Sequence, residues 1–211
     1  MMPFMASKHS PEFDQIRAQI AASAARMIAE DGADYGTAKQ KAAQQAFGNS
    51  RVPGNCMPDN SQIEEEVRLY NALFFADSQP ARLVHLRTLS VEMMTELAAF
   101  NPYLTGAVLN GTAGEHADIH LHLFVDSPKE VEIYLLNKNI QFEISESDNF
   151  NRPEKRRGRS DVEPQETLSF MYKQESIHLA LYDANDLRNT STASGKRIER
   201  ANLATVLALL K

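Results

Sequence analysis

The sequence predicts an α+β protein: a helical N-terminal segment, residues 1–101, packed on a mixed β-sheet domain, residues 102–211. Two changes along the chain carry this expectation. Apolar residues recur at spacings of three and four through most of the first hundred positions, and after Pro102 the period shifts to two. The scale is set by a chain of 211 residues with 43% hydrophobic and 24% charged side chains, an ordinary globular composition.

The helices come first. "SPEFDQIRAQIAASAARMIAEDG" opens with Ser10 as N-cap and Pro11 at the first helical position, and it stops at Gly32. Phe13, Ile16, Ile20, Ala24, Met27 and Ile28 form its apolar stripe. The alanine-rich "DYGTAKQKAAQQAFG" reads as a short second helix ending at Gly48, with Lys39 and Lys41 solvated. A Pro/Gly/Asn-rich loop, "NSRVPGNCMPDN", holds Cys56. One thiol cannot form an internal disulfide and no CxxC spacing exists, so Cys56 reads as incidental rather than nucleophilic. Ser61 with Glu64 suggests a capping box ahead of "IEEEVRLYNALFF". A fourth helix runs through "ARLVHLRTLSVEMMTELAAF", with Leu86, Leu89, Met93, Leu97 and Phe100 on one side and His85 in a structural role.

The strands follow. "LTGAVLNG" is a short apolar run ending in glycine at Gly111. "DIHLHLFVD" alternates strictly, with Ile119, Leu121 and Leu123 facing one way and Asp118, His120 and His122 the other. "PKEVEIYLLNKN" returns to helical spacing through Val131, Tyr134 and Leu135. "IQFEIS" alternates again, setting Gln141 and Glu143 opposite Ile140, Phe142 and Ile144. "TLSFMYK" and "SIHLALYD", separated by "QE", read as a hairpin. "KRIERANLATVLALL" reads as a closing helix.

Composition excludes several classes. A net charge of −6 rules out a general nucleic-acid coat, so RNA binding would need a local basic patch. "NRPEKRRGRSD" is such a patch, with Arg152, Lys155, Arg156, Arg157 and Arg159. It reads either as a solvated loop or as a phosphate-binding one, since guanidinium groups pair bidentately with phosphate oxygens. "MMPFMASKHSPEF" lacks the basic start and apolar run of a signal peptide, and no window reaches the ~18 apolar residues of a membrane span. The expectation is a cytoplasmic protein with no membrane partner. Four amphipathic helices and an apolar terminal helix are also compatible with an adaptor or a homodimer.

One stretch points to chemistry. "GTAGEHADIHLHLF", residues 111–124, places a glycine and a hydroxyl residue, a loop, and Asp118 at the mouth of a strand. Over roughly residues 104–146 this resembles the nucleotidyltransferase superfamily that includes DNA polymerase β and the CCA-adding enzymes, and small proteobacterial proteins labelled nucleotidyltransferase-like. In that family a Gly-Ser or Gly-Thr pair ends the first strand beside the triphosphate. An Asp-x-Asp pair on the next strand and a third carboxylate from a later one hold two magnesium ions. The resemblance implies a nucleoside triphosphate as substrate or ligand, with Gly111, Thr112 and Gly114 as the phosphate loop and Arg156, Arg157 and Arg159 as further phosphate contacts. Asp118 and Glu143 would be metal ligands for Mg2+ or Mn2+, and the reaction would move a nucleoside monophosphate to an RNA, protein or small-molecule acceptor.

The departure from the family lies at His120, which stands where the second aspartate belongs. Magnesium prefers oxygen donors, whereas manganese tolerates imidazole. Three readings follow. Asp118, His120 and Glu143 could serve a variant transferase. The fold could persist without catalysis, as a nucleotide-, RNA- or partner-binding module. Or Asp118, His120 and His122, with His178 from the hairpin, could ligate zinc or iron.

Overall fold

Helix boundaries in the first part of the chain follow their caps. The computed structural model describes residues 11–48, 50, 53–146, 166–188 and 199–211. In it α1 spans Pro11–Asp31, α2 Tyr35–Phe47, α3 Asn60–Phe74 and α4 Gln79–Glu96. Asp34 caps α2, its carboxylate accepting the Thr37 amide at 2.9 Å. Helix α3 begins earlier than the Ser61–Glu64 pattern suggests. Asp59 accepts the Gln62 amide at 2.9 Å, and the Gln62 side chain accepts the Asp59 amide at 3.0 Å. An ionised carboxylate is the stronger acceptor at the positive end of a helix, so Asp59 with Gln62 forms the reciprocal box. Ser10 lies outside the described residues.

The chain divides into two compact units, Met1–Pro80 with Gly114–His116, and Ala81–Ala113 with Ala117–Lys211. In the first unit Ile20, Ala21, Ala24 and Ala25 of α1 are buried with Ala38, Ala42 and Ala43 of α2 and Ile63 and Val67 of α3. Alanine-lined faces let these helices approach closely. Cys56 is fully buried in a 3-10 turn, Gly54–Cys56.

The second unit is a mixed sheet with helices. Its strands are β1 Tyr103–Thr105, β2 Ile119–Val125, β3 Glu143–Glu146, β4 Glu166–Tyr172 and β5 Glu175–Asp183, in the order β1-β2-β5-β4-β3. Only the central β2–β5 pair among them is parallel. Helices α5 Gly106–Asn110, α6 Pro128–Asn137 and α7 Leu203–Ala208 complete the unit with α4. Alternation then sorts the side chains. Leu121, Leu123, Leu168, Leu179 and Leu181 are buried in one cluster with Leu86, Leu89 and Met93 of α4 and Val131 and Leu135 of α6. Each such leucine contributes roughly 1.5–3 kcal/mol by leaving water. Because the α4 stripe is buried in the sheet core, the division of the chain falls at Pro80 rather than near residue 101.

Two elements are shorter than their patterns suggest. The strand in "LTGAVLNG" stops at Thr105, because Gly106 takes a left-handed φ of +72° and opens α5. The terminal helix starts only at Leu203. Ahead of it Ala201 pairs with Leu104 in both directions, at 2.8 and 2.9 Å, and Asn202 caps the helix by accepting the Thr205 amide at 3.0 Å.

The β4–β5 hairpin turns through Lys173 and Gln174, with φ of +49° and +71°. This is the left-handed two-residue geometry that suits the sheet twist and normally recruits Asn and Gly. Next to it Glu175 anchors α4 to β5. Both Arg82 terminal nitrogens bond its two carboxylate oxygens, one at 2.6 Å, and His85 Nε2 lies 3.2 Å away. The Arg82 hydrogen bonds hold the Glu175 carboxyl below its ordinary value, against the opposing effect of burial.

Removing the side chain at the second turn position relieves left-handed strain, so Gln174→Gly should raise stability by about 1 kcal/mol in chemical denaturation. The lowered Glu175 carboxyl makes a second expectation. Its stabilisation is complete above the unfolded value of 4.5 and is lost as pH falls through the lower folded value, because the unfolded chain takes up the proton first. Glu175→Gln should therefore melt lower than wild type at pH 7, and the gap should narrow progressively below about pH 4.

Candidate functional site

A period of two places alternate residues of each strand on the face opposite the leucine core. Register then lines them up across the sheet. Thr105 pairs with His120, His120 with His178, His178 with Ser169, and Ser169 with Glu143. A neighbouring row runs from Tyr103 through His122 to Ala180. The polar row is the one beside Asp118, the residue immediately before β2.

Within that row Asp118, His120 and His178 converge, each offering a ligand atom within 4.8 Å of the others. The His120 and His178 rings stack at 4.9 Å between centroids, with planes 17° apart. His178 Nε2 lies 3.3 Å from Asp118 Oδ2 and 3.2 Å from Ser176 Oγ, and its Nδ1 lies 2.8 Å from Ser169 Oγ. Desolvation lowers the His120 pKa, as does repulsion from His178, with Asp118 opposing both. His122 is pushed down to about 4, first by burial and then by Arg200 and His120. Both shifts favour the neutral imidazole.

Further along the same face the chemistry becomes aromatic. His122 packs on Tyr182 at 4.7 Å, Phe124 on Tyr182 at 5.5 Å, and Tyr103 on Phe124 at 5.6 Å. The Arg200 guanidinium lies over Tyr103 and Phe124, 5.4 and 4.8 Å from their centroids, and donates to the Leu187 carbonyl. His122 thus belongs to a packed aromatic layer and is not among the converging ligand atoms.

The expected phosphate loop is not assembled at Gly111. That residue ends a helix, as the left-handed C-cap of α5 with φ +85°. The Ala107 carbonyl accepts the amides of Gly111, Thr112 and Ala113 at 3.0, 3.0 and 3.1 Å. Thr112 is buried and its hydroxyl donates to Asn110 Oδ1 at 2.7 Å. Arg87 of α4 braces the turn from outside, donating to Val108 and Leu109 carbonyls at 3.1 Å each. Gly114 falls in the other unit of the chain. The glycine that ends the first strand is Gly106, and a Cβ built there would lie 3.8 Å from His120 Cδ2. The residue after it, Ala107, carries no hydroxyl.

Glu143 is also displaced from the place the pattern gives it. It shares the row, but β5 and β4 stand between its strand and β2. Three strand spacings make about 14 Å, too far to share an ion with Asp118 or His120. Arg156, Arg157 and Arg159 lie outside the described residues. His178 takes the adjacent position instead. Its signal is legible in the sequence: "DIHLHL" and "SIHLAL" share an Ile-His-Leu core, and their parallel pairing sets Ile119 on Ile177, His120 on His178 and Leu121 on Leu179.

The donor set tests the expected metal. Two magnesium ions need several hard oxygens, and this cluster supplies one carboxylate and two imidazoles. It does not fit a two-magnesium centre. No helix among the described residues is long and apolar enough to cross a membrane. Comparison with family models, with curated proteins and with solved structures finds no match to this chain.

The two glycines should respond differently to substitution. Gly106→Ala forces a side chain into the left-handed region and should cost about 1–2 kcal/mol of stability. Gly114 has no left-handed φ, and its nearest contact would be the Ala29 carbonyl at 3.7 Å. Gly114→Ala should therefore change stability by no more than about 0.5 kcal/mol, measured in the same denaturant series.

Proposed function

We propose that the sheet unit is a nucleotidyltransferase-like module that binds a nucleotide by its phosphates without performing two-magnesium nucleotidyl transfer. The observation that supports this most is the corner where β1 ends. Gly106 closes the strand against His120, with Asp118 two residues before that histidine on the antiparallel neighbour. The resemblance assigns the strand-end place to Gly111, and Gly106 takes it here, beside the strand that Asp118 precedes.

Three substitutions at that corner favour binding over transfer. Ala107 stands where the hydroxyl residue is expected, His120 where the second aspartate is, and His178 occupies the row on the adjacent later strand. Each replaces an oxygen that would face phosphate or magnesium. An RNA or protein would on this reading be a binding partner of the module rather than an acceptor.

The test is a titration of the full chain with each ribonucleoside triphosphate in magnesium, in manganese and in chelator. At least one nucleotide should bind, more tightly with manganese than with magnesium. Asp118→Ala should weaken it by about tenfold or more, the equivalent of one charge-assisted contact. No pyrophosphate should be released. Absence of binding to every nucleotide under all three conditions would refute the reading. Steady pyrophosphate release in magnesium would return the protein to the transferases.

A further inference from the structure

We propose that Asp118, His120 and His178 form a mononuclear site for a divalent first-row transition ion, held by two imidazole nitrogens and one carboxylate. The proposal deepens the reading above and rests on the same corner of the sheet, but its test reads metal binding separately from nucleotide binding.

The geometry carries it. Ligand atoms at the corners of a zinc tetrahedron, with bonds of about 2.0–2.1 Å, sit about 3.3 Å apart. His178 Nε2 and Asp118 Oδ2 are already 3.3 Å apart. The third ligand atom, on His120, lies within 4.8 Å of the others, and turning its ring out of the stack with His178 would close the set. Asp118 and His178 retain 45% and 26% side-chain exposure, so an ion can enter and a water can occupy a remaining position.

The second layer is also in place. Ser169 Oγ lies 2.8 Å from His178 Nδ1, on the side of the ring away from Asp118. When that hydroxyl accepts the Nδ1 proton, Nε2 is left as the ligating nitrogen, which is how metal-bound imidazoles are usually oriented. Without an ion the other tautomer satisfies the same contacts, Nε2–H donating to Asp118 Oδ2 while the Ser169 hydroxyl donates to Nδ1, so the ion would displace one proton.

The chemistry selects the class of ion. Two nitrogens with one carboxylate and open positions match catalytic zinc and the facial triad of non-haem iron, not magnesium or calcium. The imidazoles come from two parallel strands whose register is fixed by seven paired residues, Ile119–Val125 with Ile177–Asp183. A site on paired strands is held more rigidly than one on loops.

The experiment uses the full chain without a polyhistidine tag, stripped with chelator, then titrated calorimetrically with zinc and separately with cobalt(II), read by its visible absorption. One equivalent of each should bind, and millimolar magnesium should not compete. His178→Ala should weaken zinc by about a hundredfold, and Ser169→Ala by about tenfold through loss of orientation. If His178→Ala does not fold, Asp118→Asn provides the same test with the sheet face unchanged in shape. His85→Ala, outside the cluster, should leave the titration as in wild type. Zinc affinity indifferent to both His178→Ala and Asp118→Asn would overturn the proposal, as would equal competition by magnesium or no stoichiometric binding. Nucleotide binding that persists in the zinc-free chain would leave the preceding reading standing while the absence of stoichiometric metal binding removes this one.

Discussion

The parallel pairing of β2 with β5 is the constraint on which the second unit depends. A strand has a period of two, so one register decides both faces at once. Setting Ile119 on Ile177 brings Leu121, Leu123, Leu179 and Leu181 together under α4 and α6. The same register stacks His120 on His178 beside Asp118. A slip by one residue would expose the leucines and bury the histidines, an exchange costing many kilocalories. The polar cluster is therefore held in place by the hydrophobic core behind it.

Parallel neighbours need a long connection, and here that connection passes through α6, β3 and β4 before β5 inserts beside β2. The insertion has a chemical consequence. It fills the place next to β2 with a strand bearing His178 and sends Glu143 to the far edge of the sheet. The groups that converge with Asp118 are therefore two imidazoles and no second carboxylate. Around it the fold supplies fixed partners: Ser169 and Ser176 on the His178 ring, Gly106 against His120, and Arg200 over the aromatic layer that encloses His122.

Much of this was legible in the sequence. The α+β class followed from the change of period at Pro102, and the stripe of Leu86, Leu89, Met93 and Leu97 marked a buried helix face. The alternation in "DIHLHLFVD" assigned β2 and its two faces correctly. The helix starting after Asp59 was misplaced because two capping patterns overlap and the charged one prevails. The glycine that ends the first strand is Gly106 rather than Gly111 for a different reason. "LTGAVLNG" contains two glycines, and only tertiary pairing of Tyr103–Thr105 with His120–His122 tells which one ends the strand. Glu143 lies apart from Asp118 for a reason the sequence does not carry, because strand order is not local information; nothing in "IQFEIS" says how many strands separate it from β2. The shared Ile-His-Leu of β2 and β5 was the one sequence signal that could have placed His178 at the centre.

The proposed metal site depends on Asp118, His120 and His178 meeting at two paired strands. A crystal structure grown with one equivalent of zinc, with anomalous scattering collected at the zinc edge, tests this most directly. The account predicts a single strong peak within about 2.0–2.2 Å of Asp118, His120 and His178. A peak coordinated by Glu143 or by His122, or no ordered peak on this face of the sheet, would contradict it.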